Sequence, residues 1–426
     1  MKKFMAMLLA AVMVLSLAAC ASGPAATGEA PAATAAAGET ITLYIYQQDI
    51  DAPDAWHETM DKYMAENPNV KLELMDSQEN YFATILATGD MPDIINPAMS
   101  EQARAMIDAG LIYDVSTTEV YKHLGQFYKD AETYNGVCLG IPQGAAFTCM
   151  FYNMKILNDC GWTEVPKNAD EFFKCLADCA GKGYDAITFA GANTTCNFMP
   201  FECSWPEYAG VSAADYEAKF KDGTLDFNNA DAAAFLDQLA KYVMPGTTAN
   251  TEDDVVSAMA TGEVACCIAG NWSSGNIVPA IEGVAGEGNC KCSLPPFQKA
   301  GNAAWTSVSP ESTCAISAKG SEAQIKARVE FFEWLWKPEN YQILAKARGI
   351  VPVTDDMTEE YIRLDAPVAA IVGDVGAAPS VSMGFNLWSN AAQDKMCTAL
   401  NDVYAGNKSG ADCLKEMTEA IAADHL

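Results

Sequence analysis

The sequence predicts an α/β fold built as two lobes, each a helix-covered, mostly parallel sheet. Three observations carry that expectation. Short β-rich runs alternate with helical stretches in the early part of the body. The body from residue 40 to 426 is too long for one core, since single hydrophobic cores stop growing near ~250–300 residues. Hydrophobic residues make up 50% of the chain and aromatics 10%, enough to fill two interiors.

The alternation begins with Thr40-Ile41-Thr42-Leu43-Tyr44-Ile45-Tyr46, which reads as a strand. Asp54, after Pro53, is placed to cap a helix running to about Glu66, and Asn67-Pro68-Asn69 breaks it. Val70 to Met75 returns as a strand and Tyr81 to Ala87 as a helix. Gly89-Asp90-Met91-Pro92 then turns the chain into the strand Asp93-Ile94-Ile95. Strand, helix, strand, helix, strand is the order of a parallel sheet covered by its crossover helices. No repeat of fixed period is visible.

Ahead of the body, Lys2 and Lys3 precede an apolar run from Phe4 to Leu17, too short for a permanent membrane span and suited to an export signal. The run ends in Leu17-Ala18-Ala19-Cys20, which resembles a bacterial lipobox. That resemblance implies a signal peptide over residues 1–19 and acyl chains such as palmitate, with diacylglycerol, on Cys20. Residues 21–39 are almost all Ala, Gly, Pro, Thr and Ser, so 20–39 reads as a lipidated cysteine and flexible linker. A lone acyl chain anchors weakly, so several would be needed to hold the protein at the outer face of the cytoplasmic membrane. No later stretch has the length and apolarity of a transmembrane helix.

The chain is acidic, with 56 Asp+Glu against 26 Lys+Arg and a formal charge of −30, and losing Lys2 and Lys3 with a leader deepens it by two. Such a body repels phosphate backbones and anionic headgroups, which disfavours nucleic-acid and peripheral membrane roles. Fourteen of the fifteen cysteines lie beyond Cys20. Cys266-Cys267 and Cys290-x-Cys292 lack the paired spacing of a metal site, and Cys175 with Cys179 share one helical face as core residues. Two readings stay open for the rest: one or two disulfides, or, preferred, buried free thiols, which carry little penalty in an organism living without oxygen.

Several segments resemble the family 1 extracellular solute-binding proteins, the group that includes the maltose-binding protein. Ala87-Thr88-Gly89-Asp90-Met91-Pro92-Asp93-Ile94 is similar to the family's "(A/S)-x-G-D-x-P-D-(I/V)". Asn135-Gly136-Val137-Cys138-Leu139-Gly140-Ile141-Pro142 resembles "G-K-x-Y-x-x-P", with Val in place of the usual lysine. Tyr152-Asn153-Met154-Lys155-Ile156-Leu157, Gly161-Trp162 and Pro166 to Phe172 resemble "Y-N-K-x-(L/I)-(L/F)" and the segment after it, with Ala169 where tryptophan is common. Met259 to Trp272 is similar to "F-x-x-G-x-A-A-M-x-x-x-G-x-W". Ala315 to Lys319, Phe331 to Leu335 and Gly349-Ile350-Val351-Pro352 follow in the family's order. The resemblance implies a periplasmic-binding-protein type II fold whose hinge is crossed several times. The first lobe is placed at 40–145 plus 306–352, the second at 146–305 plus 353–426. It also implies a monomer that hands a ligand to the permease subunits of an ABC importer.

Catalysis finds little support. His57, His123 and His425 are the histidines of the chain, and none adjoins a Ser or Cys nucleophile. No G-x-S-x-G elbow, H-E-x-x-H helix or phosphate-cradling glycine loop occurs, so no cofactor or metal is expected. Thr251-Glu252-Asp253-Asp254 reads as the cap of a helix from about Val255.

Binding has better apparatus. A sugar offers apolar C–H faces ringed by hydroxyls, so its site needs aromatic planes and planar polar groups. Trp56, Trp162, Trp334 and Trp336 read as packing residues, whereas Trp272, Trp388, Trp305 and Trp205 are the candidate ring platforms. Polar candidates come from the carboxyl ends of strands, where α/β sheets bind ligands. They are Gln47, Gln48 and Asp49 after the first strand, Asn96 after the third, Gln143 at the first crossing, Glu311 and Ser312 before the Ala315-Ile316 strand, and Asn271 beside Trp272. The expected mechanism is capture of a sugar or oligosaccharide between two closing lobes, without covalent chemistry. The alternatives are a polyamine, peptide or other polar metabolite, with Asp49, Glu207 and Glu311 as carboxylates for a polyamine, or a lipid-anchored glycan-acting enzyme.

Overall fold

Two long strands organise the molecule. A computed structural model describes residues 40–47, 52–78, 80–384 and 388–424, so the expected signal, Cys20 and the linker, together with Gln48, Asp49 and His425, lie outside the described residues. β1 (Ile41–Tyr46) pairs in parallel with β2 (Val70–Met75) and with β3 (Ile94–Ile95). β4 (Thr133–Tyr134) and β5 (Val137–Cys138) form a separate hairpin. β6 (Ile141–Asn153), buried along its whole length, enters next, followed by β7 (Asp185–Thr188), β8 (Val264–Gly270) and β9 (Cys290–Ser293). β10 (Thr306–Ile316) and β11 (Ser380–Ser382) complete a sheet ordered β2-β1-β3-β10-β6-β8-β7, with β11 beside β10 and β9 beside β6. Among the described residues every antiparallel pairing of this sheet involves β6 or β10, while β1–β2–β3 and β7–β8 are parallel α/β units.

The early elements fall where the pattern places them: helices Pro53–Glu66 and Tyr81–Thr88 separate β1, β2 and β3. One detail differs. Asp54 does not cap the first helix; Ala52 holds the cap position at φ 55°, without a side-chain bond. Pro53 fills the first helical position, where its missing N–H costs nothing, and Asp54 sits one residue inside, its charge near the positive end of the helix. Thr251, by contrast, caps the helix Glu252–Ala260 with Asp254 in a reciprocal capping box, three residues earlier than the pattern suggests, which releases Glu252 for another role.

The fourteen cysteines from Cys138 to Cys413 are free thiols, and all but Cys160, Cys292 and Cys397 are buried. Burial pushes the Cys138 and Cys314 thiols up to about 12, so they act as small apolar packing groups rather than as nucleophiles.

Asp93 ties the first lobe together. Its Oδ2 accepts the Tyr44 amide at 2.7 Å, its Oδ1 accepts Arg328 Nε, and its carbonyl accepts the Ser317 amide at 3.0 Å. Arg328, 5% exposed, comes from the helix Glu322–Leu335 and also donates to the Ser317 carbonyl at 3.0 Å. One residue thus joins β1, β3, the exit of β10 and a covering helix. Removing one partner of such a pair strands the other charge in the interior. Asp93→Ala is expected to cost about 3–5 kcal/mol of unfolding free energy, read from the urea midpoint at unchanged slope. A loss under about 1 kcal/mol would show the pair to be ornamental.

Candidate functional site

The ladder between β6 and β10 holds one register from Val308↔Phe147 to Cys314↔Ile141 but passes over Ser312 and Gln143. Ser312 has φ 41°, the left-handed region that side chains other than glycine seldom adopt. The Gln143 carbonyl, which takes no place in the ladder, accepts the Tyr341 hydroxyl at 2.5 Å. At this interruption three of the expected polar residues come together. Arg348 donates from Nη1 to Gln143 Oε1 at 2.7 Å and from Nη2 to Glu311 Oε1 at 2.6 Å. Gln143 Nε2 donates to Gln47 Oε1 at 3.2 Å. Gln47 and Gln143 are each 2% exposed, so in this conformation they form an interior latch beside the crossing strands rather than a ligand-facing surface.

A cavity of about 300 Å³ opens next to the interruption. Its lining comes from opposite ends of β10. Met99, Arg104 and the run Phe127 to Tyr134 follow β3, which pairs with β10 at Ala315. Ser382 lies in β11, which pairs with β10 at Val308, and Glu217 accepts the Ser382 hydroxyl at 3.2 Å. Pro310 of β10 lines it between them. Phe127 is 40% exposed, one of two large apolar side chains so open among the described residues. Asp130 accepts Gln126 Nε2 at 2.7 Å, and Tyr134 donates to Asp108 at 3.4 Å. Arg104, partly buried, makes no ion pair among the described residues. One cation, two carboxylates and an open phenyl ring therefore share the cavity.

The tryptophans divide differently from the expectation. Trp205 is 2% exposed, edge-on to Phe227 and Tyr216, with its indole N–H given to the Phe227 carbonyl at 2.9 Å. Trp388 is 2% exposed, edge-on to Phe198, with its ring where a Cβ on Gly384 would be. Trp305 is 8% exposed within the same core. Aromatic neighbours cover the Trp205 and Trp388 rings and burial in the core covers Trp305, so in this conformation all three pack the interior and offer no free face.

Trp272 remains partly exposed and is held from two sides. Its Nε1 donates to Glu252 Oε2 at 2.9 Å, and the same oxygen accepts Ser273 Oγ at 2.7 Å. Asn193 Nδ2 donates to the other carboxylate oxygen at 3.1 Å. The indole lies against Gly270, where a Cβ would stand 2.2 Å from a ring carbon. Gly270 thus makes room for the protein's own ring rather than for a ligand. Asn271 is a brace: its Oδ1 accepts the Phe147 amide at 2.7 Å and its Nδ2 donates to the Ala145 carbonyl at 3.0 Å. Ala145 pairs with Pro310, so Trp272 stands one strand away from the cavity without lining it.

Asn96 is buried three residues before Met99. Glu207 accepts the Lys299 amide and Asn302 Nδ2, and Glu311 is paired with Arg348, so these carboxylates are not gathered into a cation-binding site. His123, Asp355 and Asp356 bring three ligand-type atoms within 4.8 Å of one another. The His123–Asp355 bond at 2.8 Å, which raises the imidazole above its ordinary value, accounts for most of that grouping.

Sequence reasoning missed Arg104, Phe127, Asp130, Tyr134 and Glu217. A signal was available for the first: the chain contains four arginines, Arg104, Arg328, Arg348 and Arg363.

The profile of a family described as bacterial extracellular solute-binding protein matches residues 58–370. The diacetylchitobiose binding protein DasA of Streptomyces coelicolor is 24% identical over 441 residues, covering 98% of this chain and 97% of that one. A chitin oligosaccharide binding protein superposes with a TM-score of 0.77 at 18% identity, over 91% of this chain and 99% of its own. RafE in complex with raffinose gives 0.75 at 18% identity, over 91% and 100%. At that identity the structural likeness shows the two-lobed fold.

The seat of the Trp272 ring is testable by itself. Gly270→Ala is expected to displace the indole, cost about 1–3 kcal/mol of stability and change the near-ultraviolet circular dichroism. Gly275→Ala, in the helix Ser274–Ala285 with nothing within 4 Å of the added carbon, is the control and should be neutral or stabilising.

Proposed function

Since the chain belongs to the bacterial extracellular solute-binding protein family, we propose that it captures a sugar or oligosaccharide in the cavity between its lobes and passes it unaltered to an ABC importer. The observation that carries this reading is the lining itself. Phe127 offers an open ring for the apolar face of a sugar, and Arg104, Asp130 and Glu217 offer donors and acceptors for its hydroxyls. The opposed charges are no more than one apart, which suits an uncharged, hydroxyl-rich guest better than a strongly ionic one. The names of the similar proteins, which bind diacetylchitobiose, chitin oligosaccharides and raffinose, support the same class.

On this reading the ligand bridges walls attached to opposite ends of β10, and closure makes both sets of contacts at once. Trp272, braced beside the crossing strand, is the second ring plane in the closed state. The Arg348 latch at the interrupted ladder rung is where the lobes hinge. No covalent step is involved, and the protein works as a monomer without a cofactor. It acts outside the cytoplasm, as its family does, held to the membrane by acyl chains on Cys20. Among the described residues no helix is long and apolar enough to cross a membrane.

A thermal-shift screen of the mature protein against mono- and oligosaccharides, polyamines and peptides tests the class, because a ligand that binds the folded state raises Tm by mass action. Phe127→Ala is expected to weaken binding of the best sugar about tenfold, the equivalent of ~1.4 kcal/mol, at unchanged unliganded Tm. Trp272→Ala should abolish most of the ligand-induced shift. Full shifts in both variants, or a response to polyamines alone, would refute the proposal.

A further inference from the structure

The run that forms one cavity wall has a carboxyl group facing away from the cavity. Phe127, Asp130, Ala131, Thr133 and Tyr134 line the cavity. Glu132, in the middle of them, turns into the protein and is 0% exposed. Its Oε1 accepts the Thr313 hydroxyl at 2.9 Å, and its Oε2 has no hydrogen-bond partner among the described residues. Thr313 belongs to β10, one residue beyond the interrupted rung. The wall is thus fastened to the hinge strand from inside by one acid making one side-chain bond.

We propose that Glu132 is a positioning residue for the ligand cavity, holding the 127–134 wall against β10 only while its carboxyl is neutral, so that loss of its proton releases the wall and weakens ligand capture. The inference rests on the carbohydrate reading for its ligand, but not for its mechanism. A neutral carboxyl is tolerated in that position because it needs little solvation. A carboxylate there has one donor and is shut off from solvent, and the cheapest relief is to carry the segment outward.

Among the described residues no cation stands against Glu132 to hold the ionised form in place. The titratable neighbour is Cys138 of β5, itself a neutral acid, with Asp114 beyond it donating only negative charge. Burial raises the Glu132 carboxyl to about 8, and the Thr313 bond lowers it only in part. A second buried acid stands behind the opposite wall. Glu202, 2% exposed, accepts the Gly384 amide at 2.6 Å, two residues past the lining Ser382, and burial raises it to about 7. Its titratable neighbours Cys203, Tyr216, Cys397 and Tyr404 are likewise neutral acids.

The experiment is the affinity of the full mature protein for its best sugar, measured from pH 6 to pH 9.5 by calorimetry. In the wild type the competent fraction falls as pH passes the carboxyl's midpoint, so binding should be about tenfold weaker at pH 9 than at pH 7. Glu132→Gln, which keeps the volume and cannot ionise, should remove that alkaline loss. Thr313→Val, which deletes both the fastening bond and the donor that favours the charged form, should weaken binding already at pH 7 and move the midpoint of the remaining loss to higher pH. A wild-type alkaline limb retained in Glu132→Gln, or an unmoved midpoint in Thr313→Val, overturns the proposal. Should Glu132→Gln not fold, the Thr313→Val midpoint decides alone. Absence of binding to any sugar at any pH is the separate failure of the carbohydrate reading. In that event hydrogen-exchange protection of residues 126–138 in the unliganded protein, taken relative to the intrinsic base-catalysed rate, still tests the wall: it should fall above pH 8 in the wild type and hold in Glu132→Gln.

Discussion

The antiparallel pairing of β6 with β10 is the constraint to which both lobes are attached. β6 is buried along its length and carries β8 and β9 at one end, while β10 carries β3 at one end and β11 at the other. A ladder of this kind is stiff, because every rung fixes the next. The missing rung at Ser312 and Gln143 breaks that stiffness at one place, with flanking rungs intact on both sides. The positive φ of Ser312 has a conformational cost; the Tyr341 hydroxyl gives the orphaned Gln143 carbonyl another partner, and Arg348 fixes the Gln143 side chain beside it. The cavity sits where it does because its two walls leave β10 on either side of that interruption.

Arginine is scarce here, and its placement is informative. In a chain of net charge −30, three of the four arginines hold the structure's organising points: Arg328 on Asp93, Arg348 on Gln143 and Glu311, and Arg104 in the cavity. The guanidinium serves all three because it presents several donors in a fixed plane and keeps its charge when buried. Lysines, by contrast, stay at the surface in pairs such as Lys122 with Glu119 and Lys167 with Glu164. Such pairs contribute little to stability.

Much of the fold was legible because its signals are local. Alternation marked β1 and β2, and Gly89-Asp90 with Pro92 marked the turn before β3. The segments that carried the family resemblance prove to be anchors, caps and turns. Asp93 is the buried anchor, Asn135-Gly136 is the hairpin turn between β4 and β5 at φ 49° and 79°, Asn153 caps the helix Met154–Asp159, and Gly349 closes the helix Pro338–Arg348. The site was less legible, since burial of a ring depends on what the rest of the chain lays over it. Trp205 and Trp388 read as platforms in isolation, yet Phe227 closes on Trp205 and Phe198 on Trp388 from other elements, with Phe201 on the preceding helix beside Trp205. Phe127 sits in an unremarkable polar stretch, and only the tertiary arrangement leaves it open. Gln47, Gln143 and Glu311 were found from strand ends and a crossing, but Arg348 draws Gln143 and Glu311 inward and Gln143 takes Gln47 with it.

The energetics of Glu132 explain why its presence is not incidental packing. Burial pushes its folded carboxyl up to about 8 from the ordinary value of 4.5 that the unfolded chain keeps. Between those values the unfolded chain is ionised and the folded chain holds the proton, so stability is greatest below pH 4.5 and declines until the pH reaches the folded value. At neutral pH the residue therefore costs about 3 kcal/mol relative to an isosteric group that does not titrate. A glutamine or a methionine in the same place would fill the volume and spare that cost. Thr313, the one donor, is itself 0% exposed, so the pair does nothing for solubility. What the acid supplies and an apolar residue does not is a bond from a cavity wall to the hinge strand that can be made and unmade. That puts the switch on the interior side of the wall, out of reach of the ligand and sensitive to the proton alone.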